Sequence, residues 1–474
     1  MAPVAAALAA CAAGLCSCAA VPDFQRPPVE TPTAWRHPAR AESDLAELTW
    51  AEAFADPELT RLIDEALAYN HDFVIAVERI ELARARYGFE RSFLFPTLAA
   101  DGAYTRVRQP ALTGSENQID TTASLGLAVS SWEIDLWGRV RAATEAARRD
   151  LQADVELARA AQVSLVAQVA LGYLDLVGLD AEAEIASRTA ASRAESLRLI
   201  NARFIGEIAS ALDVRQAESL LAAAEQSLAD IERRRAQSEH ALAILLGRNP
   251  GPVDRSRRLG EESLAPELPA GLPSTLLERR PDLREAEQRL AATEADVEAA
   301  RKAFFPVISL TAFLGFASPE LSELFDGERR AWAITQAITV PIFTAGRLQA
   351  NLDAARVQQR IALERYVGTV QNAFREVEDA LVGYQRLGEQ RAALTRAVVA
   401  DRERLRLATL RYTGGVANYF EVLDSERQLF DSELRLSQTT RAHYASVVQL
   451  YRALGGGAQP AARTLAQPVT GDAG

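Results

Sequence analysis

The chain has 474 residues, and its 52 basic residues against 64 acidic ones give a net charge of −12. That balance disfavours nucleic acid or any other polyanion as a partner. Its three cysteines, Cys11, Cys16 and Cys18, all sit at the N-terminus, and its four histidines (His37, His71, His240, His443) are scattered. The body therefore has no disulfide framework and no spaced metal ligands, and no cofactor is expected.

Residues 1–17 are apolar and uncharged, as the hydrophobic region of an export signal should be. Leu15-Cys16-Ser17-Cys18 resembles a bacterial lipobox, which implies lipidation of Cys18 and anchoring at a membrane surface. No Lys or Arg precedes Arg26, a departure from the usual basic start of such a signal. Residues 18–50 hold Pro22, Pro27, Pro28, Pro32 and Pro38, too many for a helix or central strand, and read as an extended leader.

From Asp56 to Phe95 the apolar positions follow a helical period, and Phe95-Pro96 ends it. Alternating patterns predict strands over 97–108 and 122–134, joined by a polar loop with Pro110, Gly114 and Asn117. At Gly138-Arg139 the period turns helical and meets no proline before Gly206. At about 1.5 Å per residue that helix is roughly 100 Å long. Within it, Val163 to Leu179 is apolar enough for a membrane span, yet Gln162, Gln168 and Asp175 favour a buried bundle face. The return helix, about 210–246, completes a helical hairpin over 138–246 and keeps a coiled-coil seam through Val214, Ala217, Leu221, Ala224, Leu228 and Ile231.

Residues 249–280 begin as a proline-rich linker, and the programme then repeats. A helix from Asp282 reaches Phe305-Pro306, strands are predicted over 307–316 and 331–343, and Gly346-Arg347 opens a second helical hairpin ending at Gly455. Residues 458–474, rich in Ala, Pro and Gly, read as a loose tail. The hairpin turns are the clearest duplicates. Arg203-Phe204-x-Gly206 and Arg411-Tyr412-x-Gly414-Gly415 lie about 208 residues apart, each followed by a carboxylate, Asp213 or Glu421. Two repeats, 51–248 and 281–457, follow from this spacing.

Four alternating strands cannot close a barrel, since the smallest use about eight. An open sheet leaves unpaired edges in water or lipid. Three copies would supply twelve strands and gather their helices into a tube. The expected fold is thus mainly α with membrane β, a shared twelve-stranded barrel continuing into a coiled-coil α-barrel. An alternative without a pore, a periplasmic helical scaffold or adaptor, explains the helices but not the strands. An enzyme is not expected, because no nucleophile–base pair is legible.

Several longer strings carry a resemblance. They are Val21-Pro22-Asp23-Phe24, Trp132-Glu133-Ile134-Asp135-Leu136-Trp137-Gly138-Arg139, Leu276-Leu277-Glu278-Arg279-Arg280-Pro281-Asp282-Leu283, Pro341-Ile342-Phe343-x-x-Gly346-Arg347 and Arg411-Tyr412-x-x-Gly415. Together and in this order they resemble the outer-membrane efflux factors of the TolC type, in the lipid-anchored branch paired with RND multidrug pumps. The resemblance implies a homotrimer in the outer membrane, with its helices in the periplasm. It also implies an inner-membrane pump and a periplasmic membrane-fusion adaptor as partners, with outer-membrane lipids around the barrel. An equatorial collar is implied near 180–192, 249–280 and the tail. The turns, with Arg203, Gly206, Arg411, Gly414 and Gly415, would lie at the periplasmic tip and meet the adaptor. Glu421 and Asp424 match a carboxylate pair that rings the constriction, with Glu421 standing where the family usually has Asp. Six carboxylates there would favour cations. Asp213 and Tyr412 match positions that link neighbouring hairpins in the closed state, and Ala417 replaces an arginine common in the family.

Overall fold

The computed structural model describes residues 24–29, 31–37, 49–54, 56–109, 118–255 and 275–456. Cys18, the signal segment, the start of the leader, the middle of the first strand loop, most of the linker and the tail lie outside the described residues. The chain divides into two compact units. The first comprises residues 1–28, 79–154 and 285–367, and the second comprises 29–78, 155–284 and 368–474.

The elements in chain order are α1 (Trp50–Phe54), α2 (Pro57–Tyr69), α3 (His71–Ser92), β1 (Leu98–Gln109), β2 (Gln118–Glu133), α4 (Arg139–Ile205) and α5 (Ala211–Leu245). The second half gives α6 (Leu276–Arg279), α7 (Pro281–Lys302), β3 (Val307–Ser318), β4 (Arg330–Thr339), α8 (Arg347–Thr413) and α9 (Tyr419–Ala453). The duplication is literal in length: α4 and α8 have 67 residues each, and α5 and α9 have 35.

In the first unit the strands form one antiparallel sheet in the order β1-β2-β3-β4. Cross-strand partners such as Leu127 with Leu314, Leu314 with Trp332 and Ala312 with Ile334 share a face, since directly opposed residues project to the same side. That face carries Leu98, Tyr104, Leu125, Leu127, Leu314, Trp332, Ile334 and Ile338, all exposed. The opposite face carries Asp101, Thr105, Ser124, Thr311, Thr335 and several alanines. Gly126 and Gly315 are paired there, and a Cβ on Gly126 would lie 2.5 Å from the Leu314 carbonyl oxygen. A register shift between Val129 and Trp132, with Ser131 at φ 52°, bulges β2.

Several boundaries differ from those expected: β2 begins at Gln118 rather than 122, and β3 runs to Ser318 rather than 316. The fourth strand stops at Thr339 rather than 343, because Pro341 has no N–H for the ladder. The helix expected unbroken over 56–95 is split at Asn70. The Asn70 side chain donates to the Leu245 carbonyl (3.0 Å) and accepts from the Phe73 N–H (3.0 Å), so it satisfies a buried corner that a helical residue could not.

Two of the longer strings are corners. Asp135 accepts from the Val140 and Arg141 N–H groups (3.1 and 2.9 Å), capping the first turn of α4. Glu133 and Arg139 form a two-point pair at 3.0 and 2.6 Å. Trp137 donates to the Pro306 carbonyl (2.7 Å) and stacks on Phe305. Trp137 is thus a junction residue, whereas Trp332 stays 74% exposed on the sheet.

In the second unit α4, α5, α8 and α9 pack along apolar seams. The apolar stretch of α4 is lined by Val166, Val169, Tyr173, Leu176 and Val177, all buried, in accord with a bundle face. Arg280 is buried as well. It forks onto Asp282 (2.9 and 2.6 Å), and its Nη1 donates to Glu376 (2.9 Å) and to the Ala453 carbonyl (3.0 Å). The Arg-Pro-Asp string thereby ties the start of α7 to α8 and to the end of α9.

Candidate functional site

The two hairpin turns fall in the second unit, and their helices meet in one apolar cluster. Ile200 of α4, Val214 and Ala217 of α5, Ala408 of α8 and Tyr419, Val422 and Leu423 of α9 are buried together. Tyr412 packs against this cluster, its ring 5.2 Å from that of Tyr419. The Arg203 guanidinium lies over the Tyr412 ring at 4.6 Å, so first and second hairpins touch through a cation–π contact.

Both turns share one backbone pattern. Ile208 N–H donates to Arg203 C=O (2.8 Å), and Val416 N–H donates to Arg411 C=O (3.0 Å), the long closing bond of a Schellman end. The residue that must be left-handed is Gly415 at φ 74° in the second turn. In the first turn it is Glu207 at φ 60°, and Gly206 is not left-handed. The left-handed position lies one residue beyond the shared glycine.

Beyond the turns the copies diverge. Ser210 and Asp213 form a reciprocal capping box: Ser210 Oγ accepts from the Asp213 N–H (3.2 Å) while the Asp213 carboxylate accepts from the Ser210 N–H (2.9 Å). The equivalent Asn418 makes no side-chain cap bond. Glu421 instead accepts from Arg411 Nε (3.2 Å). Asp424 accepts from Arg427 (2.8 Å) and from Arg404 on α8. Arg404, Arg411, Glu421 and Asp424 line one open cleft of about 680 Å³ with Leu407 and Phe420.

Deeper between the helices, Arg193 is buried, donates to the Leu220 carbonyl (2.8 Å) and sits 5.2 Å from the Phe430 ring. Burial lowers its pKa and raises that of Glu426. The Tyr419 phenol is pushed up to about 12 by burial and then by the Glu426 carboxylate. Glu433 is held between Arg188 (2.8 Å) and Arg402 (2.7 Å). These arginines escaped sequence reasoning, because their partners lie on other helices and only the hairpin register brings them together. Around the turns Phe204, Ile205, Ile208, Leu212, Val416 and Phe420 are exposed. Among the described residues no group of three or more His, Cys, Asp or Glu is placed to hold a metal.

A membrane-competent sheet and a duplicated coiled-coil hairpin define an outer-membrane channel of the efflux class. Comparison with known proteins agrees: residues 62–248 and 272–456 match the outer membrane efflux protein family, and the chain belongs to that family. It is 38% identical to outer membrane protein OprJ of Pseudomonas aeruginosa over 462 residues, covering 96% of this chain and 95% of OprJ. It is also 38% identical to the probable efflux pump outer membrane protein TtgC of Pseudomonas putida over 450 residues, 93% of each. Among solved structures, a membrane protein from Pseudomonas aeruginosa superposes with a TM-score of 0.89 at 37% identity, covering 94% of this chain and all (100%) of that one. The open state of the Neisseria gonorrhoeae MtrE outer membrane channel gives 0.84 at 35% identity, covering 93% and 98%. The chain is an efflux channel of the outer membrane with a periplasmic helical part.

Proposed function

We propose that three copies of this chain assemble into the conducting unit, a passive duct that receives cargo from an inner-membrane pump through a periplasmic adaptor. One observation carries the reading. The four-stranded sheet presents mostly large apolar side chains on one face and mostly small or polar ones on the other, where Val107 and Phe313 are exceptions, with β1 and β4 as open edges. An edge in lipid leaves backbone groups unpaired at several kcal/mol each, so the sheet calls for closure with further copies. Three copies place twelve strands around an axis, apolar side to lipid and small side to a lumen. Nothing in this arrangement calls for catalysis.

Within this reading the repeats are 51–248 and 281–457, following a signal over 1–17 and a leader over 18–50 held to the membrane by lipidated Cys18. Residues 249–280 contribute to a collar, and 458–474 are a tail. Arg203, Gly206, Arg411, Gly414 and Gly415 shape the turns, whose exposed apolar rim offers the adaptor a docking surface. Glu421 and Asp424 ring the constriction. The Arg203–Tyr412 contact supports Tyr412 as the link between hairpins, and Asp213 contributes through the capping box that fixes its turn. The names of TtgC and its relatives, as parts of efflux pumps, support the pump and adaptor as partners. Detergent extracts of the outer-membrane fraction should contain the chain as a trimer by light scattering, and co-purification should bring down an adaptor and a pump. A soluble periplasmic monomer would overturn the proposal in favour of the scaffold reading.

A further inference from the structure

We propose that the carboxylates of the mouth are neutralised inside each copy by arginines, and that Arg404 sets this balance. The constriction is then a ring of ion pairs with little preference between cations and anions. This inference rests on the reading that places Glu421 and Asp424 at the constriction.

At one cleft two carboxylates, Glu421 and Asp424, meet two guanidiniums, Arg404 and Arg411, and Asp424 takes a third, Arg427, from outside the cleft. The remaining charge on the cleft wall, Glu403, is taken by Arg406 at 2.6 and 2.8 Å. No uncompensated acid is therefore left among these groups. Such half-exposed pairs contribute little to stability. Selectivity does not depend on that energy, because a passing ion feels the summed field of all charges within a Debye length, about 10 Å at 0.1 M salt.

Arg404 matters most among the three for a geometric reason. It reaches from α8 across the hairpin to α9 and faces the same cleft as the acids. Arg427 is Asp424's neighbour one turn along the same helix and does not line that cleft. Arg411 serves Glu421 and helps close the turn. A threefold assembly multiplies each change by three, so one substitution alters the ring by three charges.

Reversal potentials in planar bilayers under a KCl gradient test this. The purified wild-type trimer should be weakly selective. Arg404→Gln should shift the permeability ratio toward cations, and Asp424→Asn should shift it toward anions, each by roughly threefold. Arg404→Lys should restore the wild-type ratio, which separates charge from fold. A strongly cation-selective wild type would overturn the inference. So would an Asp424→Asn shift without an Arg404→Gln shift, which leaves the mouth assignment intact. If neither substitution moves conductance or selectivity, the acids do not line the constriction, and the placement of the mouth itself fails.

Discussion

The two hairpin turns descend from one pattern, yet they spend their acids differently. In the first, Asp213 is consumed by the capping box with Ser210 and stabilises the start of α5. In the second, Asn418 makes no such bond, and Glu421 turns to Arg411 while Asp424 takes Arg404 and Arg427. The arginines divide in the same way: Arg203 lies on the Tyr412 ring, whereas its equivalent Arg411 serves a carboxylate. The second turn also inserts a buried aromatic, Tyr419, where the first has Ala211. A helix start can be held by a cap or by packing. Where packing does it, the acid at the third position is free for charge chemistry.

The largest effect expected from this contrast is at Tyr419. If packing replaces the cap in the second turn, Tyr419→Ala should cost about 3 to 5 kcal/mol, the range for removing a buried aromatic. Its removal should loosen Tyr412 and with it the Arg203 contact. Hydrogen exchange at the start of α9 should accelerate strongly while the start of α5 changes less. Equal acceleration at both would show that the two turns rely on one shared core rather than on different devices.

A smaller effect tests the left-handed position. Glu207 carries a positive φ that a side chain tolerates poorly, so Glu207→Gly should stabilise the first turn by about 1 kcal/mol. Gly415→Ala should destabilise the second by a similar amount, since φ 74° is strained for alanine even though nothing crowds its Cβ. Opposite signs in thermal or denaturant unfolding of the tips check the pair. Matching signs would mean that the two turns are not conformational equivalents.

Much of this was readable from the sequence, and the misses have physical reasons. The strands were legible because a sheet with one lipid-facing side largely alternates, and β1 and β3 start just after Pro96 and Pro306. The break at Asn70 was not, because asparagine fits the polar side of a helix and its partner, the Leu245 carbonyl, is 175 residues away. Arg280 reads as a surface charge until Glu376 and Ala453, 96 and 173 residues on, converge on it. The turns were found through Gly206 and Gly414, but the left-handed residue is the next one along, Glu207 or Gly415. The acids Glu421 and Asp424 were visible as a pair, whereas the arginine that answers Asp424 lies 20 residues earlier on the opposite helix. Spacing along one helix shows which residues share a face, and only the register between helices shows what that face meets.

The smallest effect is also the most direct probe of how the two turns differ. Ser210→Ala removes an oxygen that accepts the Asp213 N–H and so breaks the reciprocal box. The expected cost is about 1 kcal/mol, local to the first turn of α5. Asn418→Ala removes a side chain that accepts no cap bond and should cost only a few tenths, on the order of the difference in intrinsic helix-start preference. In hydrogen exchange the first substitution should speed the Leu212 to Val214 amides by roughly fivefold, since about 1.4 kcal/mol corresponds to a factor of ten. The second should leave the Phe420 to Val422 amides nearly unchanged. The reverse transplant makes the comparison two-sided. Asn418→Ser with Glu421→Asp rebuilds the first turn's box in the second, drawing the carboxylate back to the helix start and away from Arg411. Protection at the start of α9 should rise and the Arg411–Glu421 pair should break, read as faster exchange of the Arg411 Nε proton, while the permeability ratio keeps its wild-type value because the summed charge is unchanged. If protection rises and the Arg411 Nε signal does not change, capping and charge pairing are independent at this turn, and the acid's release from the cap is not what made it available to Arg411.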